Sequence, residues 1–200
     1  MSANDIVHLI DDDEAFRRAL AFQLGTAGFA VKIYESAVLF LEKYDGSQSG
    51  CIVSDVRMPG MDGLRFLQRL KEMDATLPVV IMTGHADVAM AVKALKAGAV
   101  DFIEKPFSDE SLLEAIRSAM ARSEKSQPRA EIEQIRARLA TLTPREREIL
   151  DALVAGQPNK TIAYDLGVSS RTVEVHRANV MTKMAAASFA ELVRMALLAG

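Results

Sequence analysis

With 200 residues, half of them apolar and 26% charged, the chain has room for one large or two small globular domains and is too mixed for a fibrous or disordered class. A net charge of −3, one cysteine and the lack of any run near ~20 apolar residues exclude a polybasic protein, an internal disulfide framework and a membrane-spanning helix. The opening Met1-Ser2-Ala3-Asn4-Asp5 lacks a charged-then-apolar leader pattern, and the expected compartment is cytoplasmic. Charge is uneven. Up to Arg122 there are eighteen Asp/Glu against thirteen Lys/Arg, and from Ser123 onward nine against eleven, which predicts an acidic front module and a mildly basic rear one.

In chain order, Ile6–Ile10 predicts a first strand, followed at once by Asp11-Asp12-Asp13-Glu14. Phe16, Leu20 and Leu24 recur at helical spacing up to Gly25 and Gly28. Ala30–Tyr34 predicts a second strand and Ala37–Lys43 a short helix. An apolar strand beginning at Cys51 ends at Asp55, where Pro59-Gly60 and Asp62-Gly63 turn the chain. Cys51 is expected to be an inert core thiol. Leu64, Leu67 and Leu70 mark the next helix, and residues 78–82 a strand ending in Thr83-Gly84. Residues 88–96 predict a helix stopped by Gly98, and residues 100–104 a fifth strand broken by Lys105-Pro106. Ser108 is the expected N-cap of a helix running to about residue 121. Five strands alternating with five helices predict an α/β fold, a doubly wound parallel sheet of the flavodoxin-like kind.

Residues 123–141 begin polar, with one proline, and form the expected linker. Ile132, Ile135, Leu139 and Leu142 recur at helical spacing, so part of that linker is expected to be helix. No strand signal follows. Helices are predicted at 144–155, 159–166, Ser170–Met184 and 188–199, with Thr143-Pro144 and Glu146 opening the first. The middle two are separated by Gly167-Val168-Ser169, a helix-turn-helix pattern. The expected organisation is a front domain over residues 1–122, a linker over 123–141 and a small all-α, four-helix domain over 142–200.

In an open parallel sheet, function gathers at the carboxyl ends of the strands. Asp11 and Asp12 end the first strand and Asp55 the third, which are neighbours in a doubly wound sheet, so three carboxylates are expected at one edge. Like charges so placed disfavour ionisation unless a cation intervenes. A hard divalent ion, Mg²⁺ or Mn²⁺, with oxygen ligands answers that requirement. Thr83 and Lys105 end the next two strands and offer a hydroxyl and an ammonium to phosphoryl oxygens. Positioning and charge neutralisation are most of what phosphoryl transfer needs, with Asp55 as the nucleophile that becomes an acyl phosphate.

Asp11-Asp12, Asp55 with Met58-Pro59-Gly60, Thr83-Gly84 and Lys105-Pro106 together resemble the receiver domain of two-component response regulators. The resemblance implies that Asp55 is the phospho-acceptor and that Asp11, Asp12, Asp55 and the backbone carbonyl of Arg57 hold the metal. It also implies that Thr83 and Lys105 contact the phosphoryl group. Phe102 stands where many receivers carry a switch aromatic, often Tyr; without a hydroxyl it acts by packing. Further on, Leu142-Thr143-Pro144-Arg145-Glu146, Asn159-Lys160-Thr161-Ile162-Ala163 and the run from Ser170 to Val180 resemble the LuxR/NarL-type DNA-binding domain. Taken whole, the chain resembles regulators of the FixJ type. That resemblance implies a FixL-like sensor histidine kinase as partner, promoter DNA as target, a homodimer when phosphorylated, contact with RNA polymerase and control of nitrogen-fixation genes. It implies no enzyme beyond the receiver's own phosphoryl transfer and slow dephosphorylation.

A recognition helix enters the major groove with its early residues facing base edges. With Val173 and Val180 facing the core, Glu174, Val175 and Ala178 are the base-reading candidates: an acceptor for cytosine and two apolar groups for thymine methyls. Lys160, Arg171, Thr172, Arg177 and Lys183 are the phosphate candidates. His8 is expected in the core and His176 as a structural or phosphate-facing residue; His85 lies beside the pocket, where gating of phosphoryl access is the lesser of its two readings. Val88, Val92 and Leu95, with Ala91 and Ala99, form the expected dimer face. Two alternatives remain. A phosphohydrolase using Asp55 wants an acid two residues on, where this chain has Arg57. A constitutive DNA-binding protein would not need a complete pocket.

Overall fold

The computed structural model describes residues 6–84, 88–123 and 129–199, which divide into two units considered separately below. The first holds β1 (Ile6–Ile10), α1 (Glu14–Thr26), β2 (Ala30–Tyr34), α2 (Ala37–Lys43), β3 (Cys51–Asp55), α3 (Gly63–Glu72), β4 (Val79–Thr83), β5 (Asp101–Glu104) and α5 (Asp109–Ser123). α4 (Val88–Ala97) lies between β4 and β5 in the chain, and by its contacts its residues up to Lys96 group with the second unit. The strands pair in parallel in the order β2-β1-β3-β4-β5. β3 and β4 are buried along their whole length, as uninterrupted apolar strands require when helices cover both faces.

Side chains alternate across the sheet. Val7, Leu9, Cys51, Val53, Val80 and Met82 pack on one face against Leu20 and Leu24 of α1 and Leu112, Ile116 and Ala119 of α5. Burial pushes the Cys51 thiol up to about 12, so it stays protonated. On the other face His8 meets Phe40, edge to face at 5.5 Å, and Phe40 meets Phe66 at 5.6 Å. Side-chain caps start the helices: Asp13 accepts from Ala15 N and Phe16 N, Ser36 from Leu39 N, Asp62 from Arg65 N and Ser108 from Ser111 N. Gly50 leads into β3 at φ +102, where a Cβ would stand 2.0 Å from the Ile6 carbonyl oxygen. Only glycine lets the chain pass β1 that closely.

The second unit holds α6 (Arg129–Leu139), α7 (Pro144–Val154), α8 (Asn159–Asp165), α9 (Ser170–Met184) and α10 (Phe189–Ala199). Within the stretch 123–141, α6 is thus helical, and its Ile135 is buried with Leu150, Val180, Met184, Leu192 and Met195. A second cluster joins Ile149, Leu153, Ile162, Ala163 and Val173. Thr143 and Glu146 form a capping box at the start of α7. The turn after α8 is a Schellman motif: Val168 N donates to Ala163 O, Gly167 N to Tyr164 O, and Gly167 has φ +64. α9 ends in the same way, with Ala186 N donating to Met181 O and Ala185 N to Thr182 O, but here an alanine takes the left-handed position at φ 51. Among the described residues no helix is long and apolar enough to cross a membrane.

Ala185→Gly removes the steric penalty of that conformation, and it is expected to stabilise the protein by about 0.5–1 kcal/mol, measured by denaturant unfolding. An unchanged or lower midpoint would show that the strain is absent. A second expectation concerns His8, whose Nε2 donates to Ser49 O at 3.1 Å while Nδ1 faces the Tyr34 hydroxyl at 3.3 Å. Burial pushes His8 below its usual 6.5, so the unfolded chain takes up a proton that the folded chain resists. Stability is therefore full above pH ~6.5 and falls as the pH drops from there through the lowered folded value. Calorimetry from pH 7.5 down to 5 should show a smaller loss in His8→Leu than in the parent chain.

Candidate functional site

The strand ends line up because the register is continuous: Ile10 lies beside Ser54, Asp55 beside Met82 and Thr83 beside Glu104. The ladder runs on past the strands, with Val56 N donating to Met82 O and Lys105 N to Thr83 O. Asp11, Asp55, Thr83 and Lys105 are thereby carried to one edge of the sheet. Lys105 reaches across it, its Nζ 2.8 Å from Asp11 Oδ2 and 3.0 Å from Asp55 Oδ1. Those two oxygens are therefore no more than 5.8 Å apart (2.8 + 3.0). Each carboxylate uses its other oxygen locally: Asp11 Oδ1 accepts from Asp13 N and Asp55 Oδ2 from Arg57 N. Asp11 is 2% and Asp55 8% exposed, and Thr83 is buried at 4%.

Two nearly buried carboxylates with one ammonium leave a local excess of negative charge. Burial works to deprotonate Lys105, but hydrogen bonds and charge from Asp11 and Asp55 outweigh it, and the ammonium is held above its usual value. Behind the pocket, the buried Arg17 guanidinium donates to the backbone carbonyl of Asp11. On the other side the Lys105 ammonium stands 4.1 Å from the centroid of the Phe16 ring, which Phe107 meets edge to face at 6.3 Å. Neither Arg17 nor Phe16 is singled out by the sequence. Phe16 shares its helical stripe with Leu20 and Leu24 and reads as core.

The sequence expectation brings Asp12 into the acid cluster, whereas here its side chain is exposed. Among the described residues no group of three or more His, Cys, Asp and Glu is arranged to hold a metal. The donors that do converge, two hard carboxylates in excess of the available positive charge, suit Mg²⁺, which takes one or two carboxylates and fills its remaining positions with water and phosphate. Phe102 is half-buried and its backbone N–H is held by Asp101 Oδ1. In α4, Val92 and Leu95 are buried at 2% and 7%, while the side chains of Val88 and Ala91 lie outside the described residues, as does His85.

In the second unit, α9 buries Val173 and Val180 and exposes Glu174, Val175 and Ala178 along one side. Lys160 and Arg171 are exposed as well. Thr172 shares a 2.8 Å hydroxyl contact with the cap residue Ser169. The remaining two phosphate candidates are engaged within the unit. Arg177 lies over the Phe189 ring at 4.6 Å, and Lys183 donates to Glu146 Oε2 at 2.6 Å. The Lys183 ammonium, with the Thr143 N–H and hydroxyl, holds the Glu146 carboxyl at about 2. Two further arginines tie helix ends together, Arg145 donating to Leu166 O and Arg138 to Met184 O. His176 is half-buried, on the stripe between Val173 and Val180. Tyr164 on α8, which the sequence does not flag, is 87% exposed.

The family model "Response regulator receiver domain" matches residues 7–117, and "Bacterial regulatory proteins, luxR family" matches residues 140–196. The transcriptional regulatory protein FixJ of Azorhizobium caulinodans is 54% identical over 195 residues, covering 97% of this chain and 92% of that protein. The protein of the same name from Rhizobium meliloti is 52% identical, covering 97% and 96%. Among solved structures, full-length FixJ from B. japonicum has a TM-score of 0.58 at 50% identity over 98% of this chain and 97% of that one. The response regulator StyR has a TM-score of 0.57 at 39% identity over 96% and 98%. The chain therefore belongs to the two-component response regulators, as a FixJ-like member with a receiver domain in front of a luxR-family DNA-binding domain.

Proposed function

We propose that Asp55 is the phospho-acceptor and that its charging by a FixL-like sensor histidine kinase drives this regulator to pair on promoter DNA. The observation that carries the reading is the Lys105 ammonium held between Asp11 and Asp55. An Asp55 carboxylate oxygen forms a bond to phosphorus as the phosphorus–nitrogen bond of the kinase phosphohistidine breaks. The imidazole nitrogen keeps the electron pair. Lys105, already within reach of the Asp55 oxygen, and Thr83, at the end of the next strand, meet the incoming phosphoryl oxygens. Asp11, Asp12, Asp55 and the Arg57 carbonyl would hold Mg²⁺ or Mn²⁺, which would supply neutralising charge there. The hydrolase alternative is disfavoured because Arg57, an exposed base, stands where such an enzyme needs an acid, and because the relatives are transcriptional regulators.

The acyl phosphate adds about −1.5 to −2 charges at one point. Inverting a two-state population from 1:99 to 99:1 takes about 5.5 kcal/mol of differential stabilisation, which two or three charge-assisted hydrogen bonds at about 1.5–3 kcal/mol each supply. We assign the response to α4 and Phe102. Val88, Val92 and Leu95 of α4 are the residues we assign to the dimer face. A dimer sets two α9 helices about 34 Å apart, one turn of DNA, for a near-palindromic site. Glu174, Val175 and Ala178 then face base edges, and Lys160 and Arg171 face phosphates. Arg177 and Lys183 hold α9 in place rather than meeting DNA. By likeness to FixJ, the targets are nitrogen-fixation promoters served through RNA polymerase, in the cytoplasm. The domain limits we assign are residues 1–122 and 142–200, with 123–141 between them.

Acetyl phosphate with Mg²⁺ should label the protein slowly and to one equivalent, read by intact mass, and Asp55→Asn should take no label and stay monomeric in gel filtration. Labelling of Asp55→Asn at the parent rate, or rapid turnover of the donor, would refute the assignment. For the DNA half, Glu174→Ala is expected to lose about 1–3 kcal/mol of discrimination at a single base pair. Lys160→Ala should instead weaken all sequences alike and lower the salt slope by about 1, so titrations on matched and mismatched sites separate the two roles.

A further inference from the structure

We infer that Phe16 is a positioning residue for phosphoryl transfer: its ring face carries the Lys105 ammonium and keeps it between the two carboxylates. The inference rests on the assignment of Asp55 as acceptor given above. A lysine side chain has four rotatable bonds, and holding its end in one place loses up to about 2 kcal/mol of rotamer freedom. Asp11 and Asp55 attract the ammonium, but they define a line along which it can shift, and an incoming phosphoryl group competes for the same charge. The ring adds a third side. The ammonium is 4.1 Å from the Phe16 centroid, within the range at which a cation is drawn to the negative face of an aromatic ring.

The ring is itself fixed. Phe107 meets it edge to face at 74°, and both aromatics pack against the core formed by Leu20, Leu24, Leu112 and Ile116. Lys105 is only 24% exposed in its side chain, so the contact is partly shielded from water, where such attraction is stronger. Lys105 and Phe16 both line a crevice of about 210 Å³, with Leu20, Gln23, Phe107 and Asp109 around it. When phosphorus bonds to Asp55, the ammonium has only to pivot on the ring from Asp11 toward the new oxygens. A residue without a π face would leave it to be ordered during the transfer.

The test is a set of full-length variants, Phe16→Leu, Phe16→Met and Phe16→Tyr, each also made with Lys105→Met, and labelled with acetyl phosphate and Mg²⁺. A small donor keeps kinase docking out of the measurement, and thermal melting checks the fold of each protein. Phe16→Leu and Phe16→Met are expected to label about three- to tenfold more slowly, Phe16→Tyr within about twofold of the parent. With Lys105→Met, the Phe16 substitutions should change nothing further, because the partner is gone. Independently of labelling, proton NMR should find the Lys105 ε-methylene shifted upfield by the Phe16 ring and restored in Phe16→Leu. Parent-like labelling of Phe16→Leu, an equal slowing of Phe16→Tyr, or the same slowing without Lys105 would overturn the inference while leaving Asp55 as acceptor. An unshifted Lys105 methylene in the parent would overturn it even if Phe16→Leu and Phe16→Met fail to fold. If the parent chain takes no label at Asp55, the assignment of the acceptor fails first and this inference falls with it.

Discussion

Two carboxylates less than 6 Å apart and almost out of water repel each other, and the receiver unit is arranged around how that repulsion is met. Lys105 answers it in front and the Arg17 guanidinium, on the Asp11 carbonyl, from behind. The backbone helps, since Asp13 N and Arg57 N each donate to one oxygen of the pair. Only Lys105 meets the carboxylate oxygens themselves, since Arg17 donates to a backbone carbonyl, so at the carboxylates one ammonium stands against two negative charges. Full neutralisation by protein side chains would give a more stable edge and an inert one.

The DNA-binding unit divides its charges in a different way. Arg138, Arg145, Arg177 and Lys183 are spent internally, on helix carbonyls, on the Phe189 ring and on Glu146. Arg138 and Lys183 fix the C-terminal end of α9 to α6 and α7, Arg177 its middle to α10, and Arg145 ties α7 to the end of α8. Glu174, Val175 and Ala178 stay exposed on the helix so held. A helix fixed by its neighbours loses less freedom when it meets a partner.

Much of this was legible beforehand, and for identifiable reasons. β1, β2, α2 and α9 fall within the expected limits because each is bounded by a cap or turn residue and has one clean period. The meeting of Asp55 with Asp11 and Lys105 followed from placing carboxylates and a lysine at successive strand ends of one sheet. What escaped depends on contacts between distant helices. The pairing of Lys183 with Glu146 was not legible because Glu146 lies 37 residues earlier, where it reads only as half of a capping box. The burial of Val92 and Leu95 was not legible because a sequence does not state which side of an apolar helix is covered. Phe16 was hidden because a ring that supports a cation and a ring that fills a core have the same spacing.

The strand order has a further consequence for the life of the polypeptide. The ammonium and the carboxylate it first binds are 94 residues apart, joined only when β5 is laid against β4 at the far edge from β2. An emerging or clipped chain that has β1 and β3 but not β5 holds Asp11 and Asp55 without the ammonium between them. In such fragments each carboxylate keeps only its backbone donor, so the charges at the sheet edge come into balance only once the front unit is finished.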